Sequence, residues 1–216
     1  MSGWGPYAAA WAVFLVSHSL PVRPRVRARL VARLGAAGFA LAYSAVSVAA
    51  LAWLIAAAGR APVVPLWDWT PWQRPVAQET MLAACLLVAL AAFAPNPLSF
   101  GGWRNDRFDP ERPGIAGLLR HPFLAALVLW ALGHLPANGD LARALMFAGF
   151  AAFALLGMVL IDRRRRRALG TAAWTGLRAG RASLPGRWPL RLAAGIALWW
   201  ALAALHPLVI GPQVLP

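Results

Sequence analysis

The amino-acid sequence predicts an all-α polytopic membrane protein with six transmembrane helices and both termini on the extracytoplasmic side. Three observations lead there. Of 216 residues, 60% are hydrophobic and only 13% are charged, with a mean hydropathy of +0.59, whereas a soluble domain carries about a quarter charged residues. The apolar residues run in blocks long enough to cross a hydrocarbon core, which takes about 20 residues. The arginines fall on alternate connections between those blocks, as the positive-inside rule requires.

The predicted spans cover about 4–20, 34–58, 76–95, 117–136, 141–161 and 190–208. The first holds the apolar run Tyr7–Leu20. It lacks a basic leader and is followed by arginines rather than a small-residue cleavage site, so it reads as a retained helix and not a signal peptide. The second is the small-residue run "AAGFALAYSAVSVAALAW", whose faces pack within the chain or against partner helices. The third carries Cys85, the lone cysteine, which excludes an intrachain disulfide and suits a buried structural thiol. The fourth, within "RHPFLAALVLWALGHLPANGD", holds two of the four histidines, and the fifth runs into "DRRRRR". The sixth ends near "ALHPL". Proline and glycine punctuate the connections, in "APVVPLWDWTPWQRP", "APNPLSFGG", "DPERPG" and "PANGD".

All 21 basic residues are arginine, a bias that fits a GC-rich bacterial coding sequence, and the formal net charge is +14. Five arginines follow the first span; Arg104, Arg107, Arg112 and Arg120 lie in the third connection; nine lie between the fifth and sixth spans. The opposite side has only Arg60, Arg74 and Arg143, so 18 of 21 fall on one side. Charge sorted this way is a topology signal and excludes nucleic acid as the partner. Anionic lipid headgroups take that role, each basic residue contributing on the order of 1 kcal/mol. The expected location is the bacterial inner (cytoplasmic) membrane, multi-pass. Trp67, Trp69 and Trp72 suit an aromatic belt. The basic stretch "RRALGTAAWTGLRAGRASLPGRWPLR" is expected to lie partly along the cytoplasmic face.

Ionisable residues within spans are costly and point to function. Here they are His18, His121, His134 and His206. Carboxylates keep to the connections; Asp140 and Asp162, at span edges, are read as capping or solvated. No Ser/His/Asp set, phosphate loop or zinc spacing is discernible. Histidines without cysteine or carboxylate companions point to haem, whose iron takes axial imidazoles and whose macrocycle suits apolar and aromatic surroundings. The competing explanation, an interfacial histidine bonded to a carbonyl or water, is adopted for His206.

Several ordered motifs carry a family resemblance: "SHSLP" at the end of the first span, "RARLVARLGAAGFALAYSAVSVAAL", "RHP" at Arg120–Pro122, "LWALGHLPANGD", "IDRRRRRALG" and "SLP" at Ser183–Pro185. Through them the chain resembles the NnrU family of bacterial membrane proteins, and residues 1–216 read as a single NnrU-type transmembrane domain. The resemblance implies a link to denitrification and nitric-oxide metabolism. A plant relative, 15-cis-zeta-carotene isomerase, shares the domain and holds haem b through histidines that match His18 and His134. A cysteine proposed there as an alternate ligand falls at Ala131, which counts against carotenoid isomerase activity.

Depth and family disagree on the ligand pair. On a regular helix His121 and His134 are about 20 Å apart along the axis and about 140° apart around it, so they do not serve one site together. Depth pairs His18 with His121; the family pairs His18 with His134. The expectation is haem b, held by two of His18, His121 and His134, in a haem-dependent isomerase or redox protein. Trp130 and Asn138, one turn either side of His134, are expected to line its surroundings. Two rivals stand beside this. A membrane methyltransferase would use Arg120 of the "RHP" motif to hold the carboxylate of S-adenosylmethionine, though the uncharged tail "HPLVIGPQVLP" lacks the acidic residues such enzymes carry. A non-enzymatic accessory factor would pack against a respiratory complex or a second copy of the chain.

Overall fold

The structure, a computed structural model, describes residues 3–178 and 180–211. Helix accounts for 72% of the described residues, with no strand among them. Among the described residues seven α-helices follow in order: α1 Trp4–Ser19, α2 Pro24–Arg60, α3 Gln73–Ala91, α4 Pro122–His134, α5 Leu141–Leu169, α6 Thr171–Gly176 and α7 Trp188–Val209. Single 3₁₀ turns occur at Asn105–Arg107 and Gly114–Gly117. Four helices, α2, α3, α5 and α7, are long and apolar enough to cross a membrane by length and composition.

Three boundaries differ from the sequence expectation, each for a local reason. Helix α2 starts at Pro24, because proline is preorganised for a helix's first turn, so the basic stretch is helical too. The expected start near residue 34 survives as a break at Gly35, whose φ of 71° suits glycine and interrupts the helix between its basic and apolar parts. Helix α5 does not stop near 161 but runs on through the five arginines to Leu169, where Gly170 at φ 81° ends it. The fourth span is the main correction. It was expected over 117–136, yet the helix has 13 residues because Pro122 occupies its first turn and holds His121 out of the helical region at φ −119°, ψ 63°. Its rise of about 20 Å falls short of the roughly 30 Å hydrocarbon core.

The chain forms two compact units. The first joins the segment up to Trp67 with Asp140–Met146. In it α1 packs on α2, and the Tyr7 hydroxyl donates to the Ala142 carbonyl at 2.7 Å. Leu141 N donates to Val64 O at 2.9 Å, and Arg143 pairs with Asp140 at 2.6 Å.

The second unit joins Asp68–Gly139 with the segment from Phe147 onward. Helix α3 is its hub, packed on both α4 and α7. Glycines make the close approach feasible, as small residues do where apolar helices meet. A Cβ on Gly133 would stand 1.7 Å from Thr80 Oγ1, and one on Gly195 would stand 3.0 Å from the Leu86 Cα. Cys85 is buried in this unit, and Trp199 Nε1 on α7 donates to Gln78 O on α3 at 3.1 Å.

Candidate functional site

His134 closes α4, and a turn earlier Trp130 offers its carbonyl. The imidazole Nδ1 lies 2.8 Å from that oxygen. A carbonyl only accepts, so Nδ1 carries the proton and Nε2 the lone pair, the tautomer that a backbone-anchored metal-binding histidine uses. Aromatic rings surround it. Phe147 stacks on the imidazole with centroids 5.4 Å apart, and the Trp130 indole lies 5.9 Å away and meets Phe147 and Phe150 in turn. Asn138 Nδ2 donates to the His134 carbonyl at 2.7 Å, satisfying a C-terminal carbonyl that the helix leaves open. Trp130 and Asn138 therefore both touch His134, one through ring and carbonyl, the other through the backbone.

His18, in the first unit, has the same local anchor. Its Nδ1 lies 2.8 Å from the Phe14 carbonyl one turn back and 3.3 Å from the Ser17 hydroxyl. The Phe14 ring is 4.1 Å away and the Tyr43 ring 6.1 Å away, and Tyr43 donates to the His18 carbonyl at 3.4 Å. His206 is on α7, where its carbonyl accepts from Ile210 N and Gly211 N.

His121 is held quite differently. Only 4% of its side chain is exposed, and both ring nitrogens are engaged. Nδ1 meets Ser99 Oγ at 2.9 Å, and Nε2–H donates to Asp162 Oδ1 at 3.0 Å. Arg120 grips the same carboxylate, with Nη2 at 2.7 Å from Oδ2 and Nε at 3.4 Å from Oδ1. The loop before α4 is drawn into this knot. Asn96 Nδ2 donates to the Arg120 carbonyl at 2.9 Å, Asn96 N donates to Asn105 Oδ1 at 2.8 Å, and Arg165 donates to the Ser99 carbonyl at 3.3 Å. Gly102 is required here, since a Cβ would collide with Asn105 Oδ1 and the Asn96 backbone.

Two consequences follow for the sequence expectations. Asp162 is not merely solvated: it is the shared acceptor of Arg120 and His121. A Ser–His–Asp chain does exist, formed by Ser99, His121 and Asp162, although none was discernible in the sequence. It is not a nucleophilic triad, because Ser99 is 2% exposed and Asp162 shares its carboxylate with a guanidinium. The signal that could have found it is Asp162 itself, an acid at the end of an apolar run beside five arginines.

The donor set at His134 suits haem. Haem iron draws most of its ligands from the macrocycle and needs only axial imidazoles from protein, in apolar and aromatic surroundings. An anchored imidazole flanked by Trp130 and Phe147 would serve as one such ligand. A metal held by protein alone needs a cluster, and no three His, Cys, Asp or Glu side chains converge among the described residues.

The sequence profile of the NnrU protein family matches residues 7–214, nearly the whole chain. The chain belongs to the NnrU family. The match includes both anchored histidines and the Arg120–His121–Asp162 knot. No curated protein and no solved structure gives a significant match.

Proposed function

We propose that this NnrU family member binds haem b through membrane histidines and acts in redox or nitrogen-oxide metabolism linked to denitrification, at the bacterial inner membrane. The observation that carries this reading is His134, with Nδ1 fixed on the Trp130 carbonyl and Nε2 carrying the lone pair among aromatic rings. His18, anchored in the same way, is the second candidate ligand. His121 is the weakest of the three, because Ser99 and Asp162 already take its two nitrogens. When bound, haem supplies a one-electron redox centre whose potential responds to its axial ligands and its surroundings. The chain's own part is to hold the ligand tautomer through Trp130, stack Phe147 on the imidazole and fix the end of α4 through Asn138.

In this reading α1 and α4 complete six crossings with α2, α3, α5 and α7, both termini are extracytoplasmic, and the arginine-rich side meets anionic headgroups. The hydrogen bonding favours haem over a methyltransferase, since the Arg120 fork that would hold a cofactor carboxylate is closed on Asp162.

The test is the oxidised and reduced absorption spectrum of protein purified from haem-replete cells, with His18→Ala, His121→Ala and His134→Ala. A Soret band lost in the His134 variant and kept in the His121 variant is expected. A colourless wild type overturns the proposal.

A further inference from the structure

A cleft of about 410 Å³ opens in the second unit where α3 ends and α7 begins. Arg107 and Arg112 line it from the loop ahead of α4, and Arg191 lines it from the first turn of α7. Gly114 and Ser183 fasten its two walls: Gly114 N donates to Ser183 Oγ at 2.9 Å, and Ser183 N donates back to Gly114 O at 3.3 Å. Arg191 is committed to structure, its Nη1 donating to the carbonyls of Ala89, Leu90 and Ala92 that close α3. Arg107 and Arg112 are exposed and pair with no carboxylate among the described residues. Asp109 also lines the cleft with its Oδ1 accepting from Glu111 N, and its single negative charge is outweighed by the three lining guanidiniums of Arg107, Arg112 and Arg191.

The cleft is apolar on its other flank. Phe93 is 78% exposed and sits at φ 56°, a left-handed backbone that a bulky L-residue rarely adopts. Leu184 is 67% exposed. Two uncommitted guanidiniums beside an open ring and an open leucine make an amphipathic lining, placed where two membrane-crossing helices end. A free phosphate would need the arginines alone. A phospholipid would use both flanks.

We propose that this cleft binds the headgroup of an anionic phospholipid, with its phosphate on Arg107 and Arg112 and its first acyl carbons on Phe93 and Leu184. The site rests on the reading of the arginine-rich side as headgroup-facing and is independent of haem. Arginine suits the role, because its planar fork matches phosphate oxygens, and basic pockets at the ends of membrane helices hold anionic headgroups in this way.

The experiment offers the full-length detergent-purified protein an equimolar mixture of phosphatidylglycerol and phosphatidylcholine and reads retained lipid by native mass spectrometry. The wild type is expected to prefer phosphatidylglycerol by roughly tenfold, which two near-surface arginines can supply. The Arg107→Gln/Arg112→Gln variant brings the ratio near unity, whereas Arg25→Gln/Arg29→Gln, a charge-matched change in the exposed start of α2, preserves it. Phe93→Ser lowers phosphatidylglycerol retention, and excess inorganic phosphate leaves the lipid in place. Equal loss in both double variants overturns the site while sparing the headgroup-facing reading, and no preference in the wild type overturns both. Displacement by inorganic phosphate with an indifferent Phe93→Ser overturns the lipid in favour of a small anion. Arg112→Gln alone, at an exposed position, gives the same readings at smaller amplitude if a double variant is poorly behaved.

Discussion

The two ends of α4 each carry a histidine, and the chain treats them in opposite ways. At the start, His121 is buried with both nitrogens bonded, inside a knot of Arg120, Asp162, Ser99 and the Asn96 loop. At the end, His134 has one nitrogen tied to a backbone carbonyl and rings for neighbours. An imidazole with both nitrogens occupied has nothing left to give a ligand. An imidazole with Nδ1 anchored has one nitrogen prepared to give. A single helix of 13 residues, which His121 precedes and His134 closes, thus carries a fastening at one end and a candidate reaction centre at the other. Position in an apolar segment does not decide what a histidine does; the neighbour of each ring nitrogen does.

The largest effect that would break this contrast is in haem itself. His134→Ala is expected to abolish the Soret band at any haem supply, while His121→Ala keeps the band in whatever protein survives folding. The reverse result would make the knot the cofactor site and the aromatic end mere packing.

Next in size is the knot's energy. Asp162→Ala leaves Arg120 and His121 without their acceptor, and stripping one partner from a buried pair costs about 3–5 kcal/mol. Because Arg120 is partly exposed, we expect about 3 kcal/mol, the lower end of that range, read as a lower melting temperature in detergent. Haem in the folded fraction should stay unchanged. Loss of haem in proportion to the fold, or beyond it, separates a fastening from a ligand shell.

The sequence made one end of α4 far more legible than the other. At the His134 end the relevant contacts are local: helical periodicity brings Trp130, four residues before, beneath the ring, and the turn that follows α4 returns Asn138, four residues after, to the His134 carbonyl. At the His121 end the partners lie 22 and 41 residues away, on a loop and on another helix. No local pattern carries that pairing, and Asp162 looked like an ordinary acid at a membrane edge. The spans show the same divide. Long apolar runs located α3 and α7 closely, but the start of α4 depended on Pro122 overriding a continuous apolar stretch, and the true extent of α2 on a glycine break that composition does not mark.

Packing beside His134 gives a third and smaller effect. Gly133 rests against Thr80 so closely that Gly133→Ala forces α3 and α4 apart, and overpacking of this kind costs about 1–3 kcal/mol. Thr80→Ala removes the obstructing hydroxyl but keeps the Thr80 Cβ, 2.7 Å from the new methyl, and should recover part of that loss in the double variant. Contacting residues couple by about 0.5–3 kcal/mol in such cycles. Additive losses would mean that α4 is not seated on α3 as tightly as the glycine contact requires.

The smallest effect is also the one that most sharpens the comparison. Asn138 joins the His134 end through a single neutral hydrogen bond to a helix-terminal carbonyl, which is worth about 1 kcal/mol net. Asn138→Ala should therefore lower stability by about that much, and by the same amount at low and high salt. The Asp162→Ala loss involves the Arg120 ion pair at a partly exposed site and should shrink as salt screens it. With the imidazole's backbone support loosened, the haem bands of Asn138→Ala should shift without vanishing. Equal salt dependence in the two variants would erase the electrostatic distinction between the ends of α4, leaving only His134→Ala and His121→Ala to tell them apart.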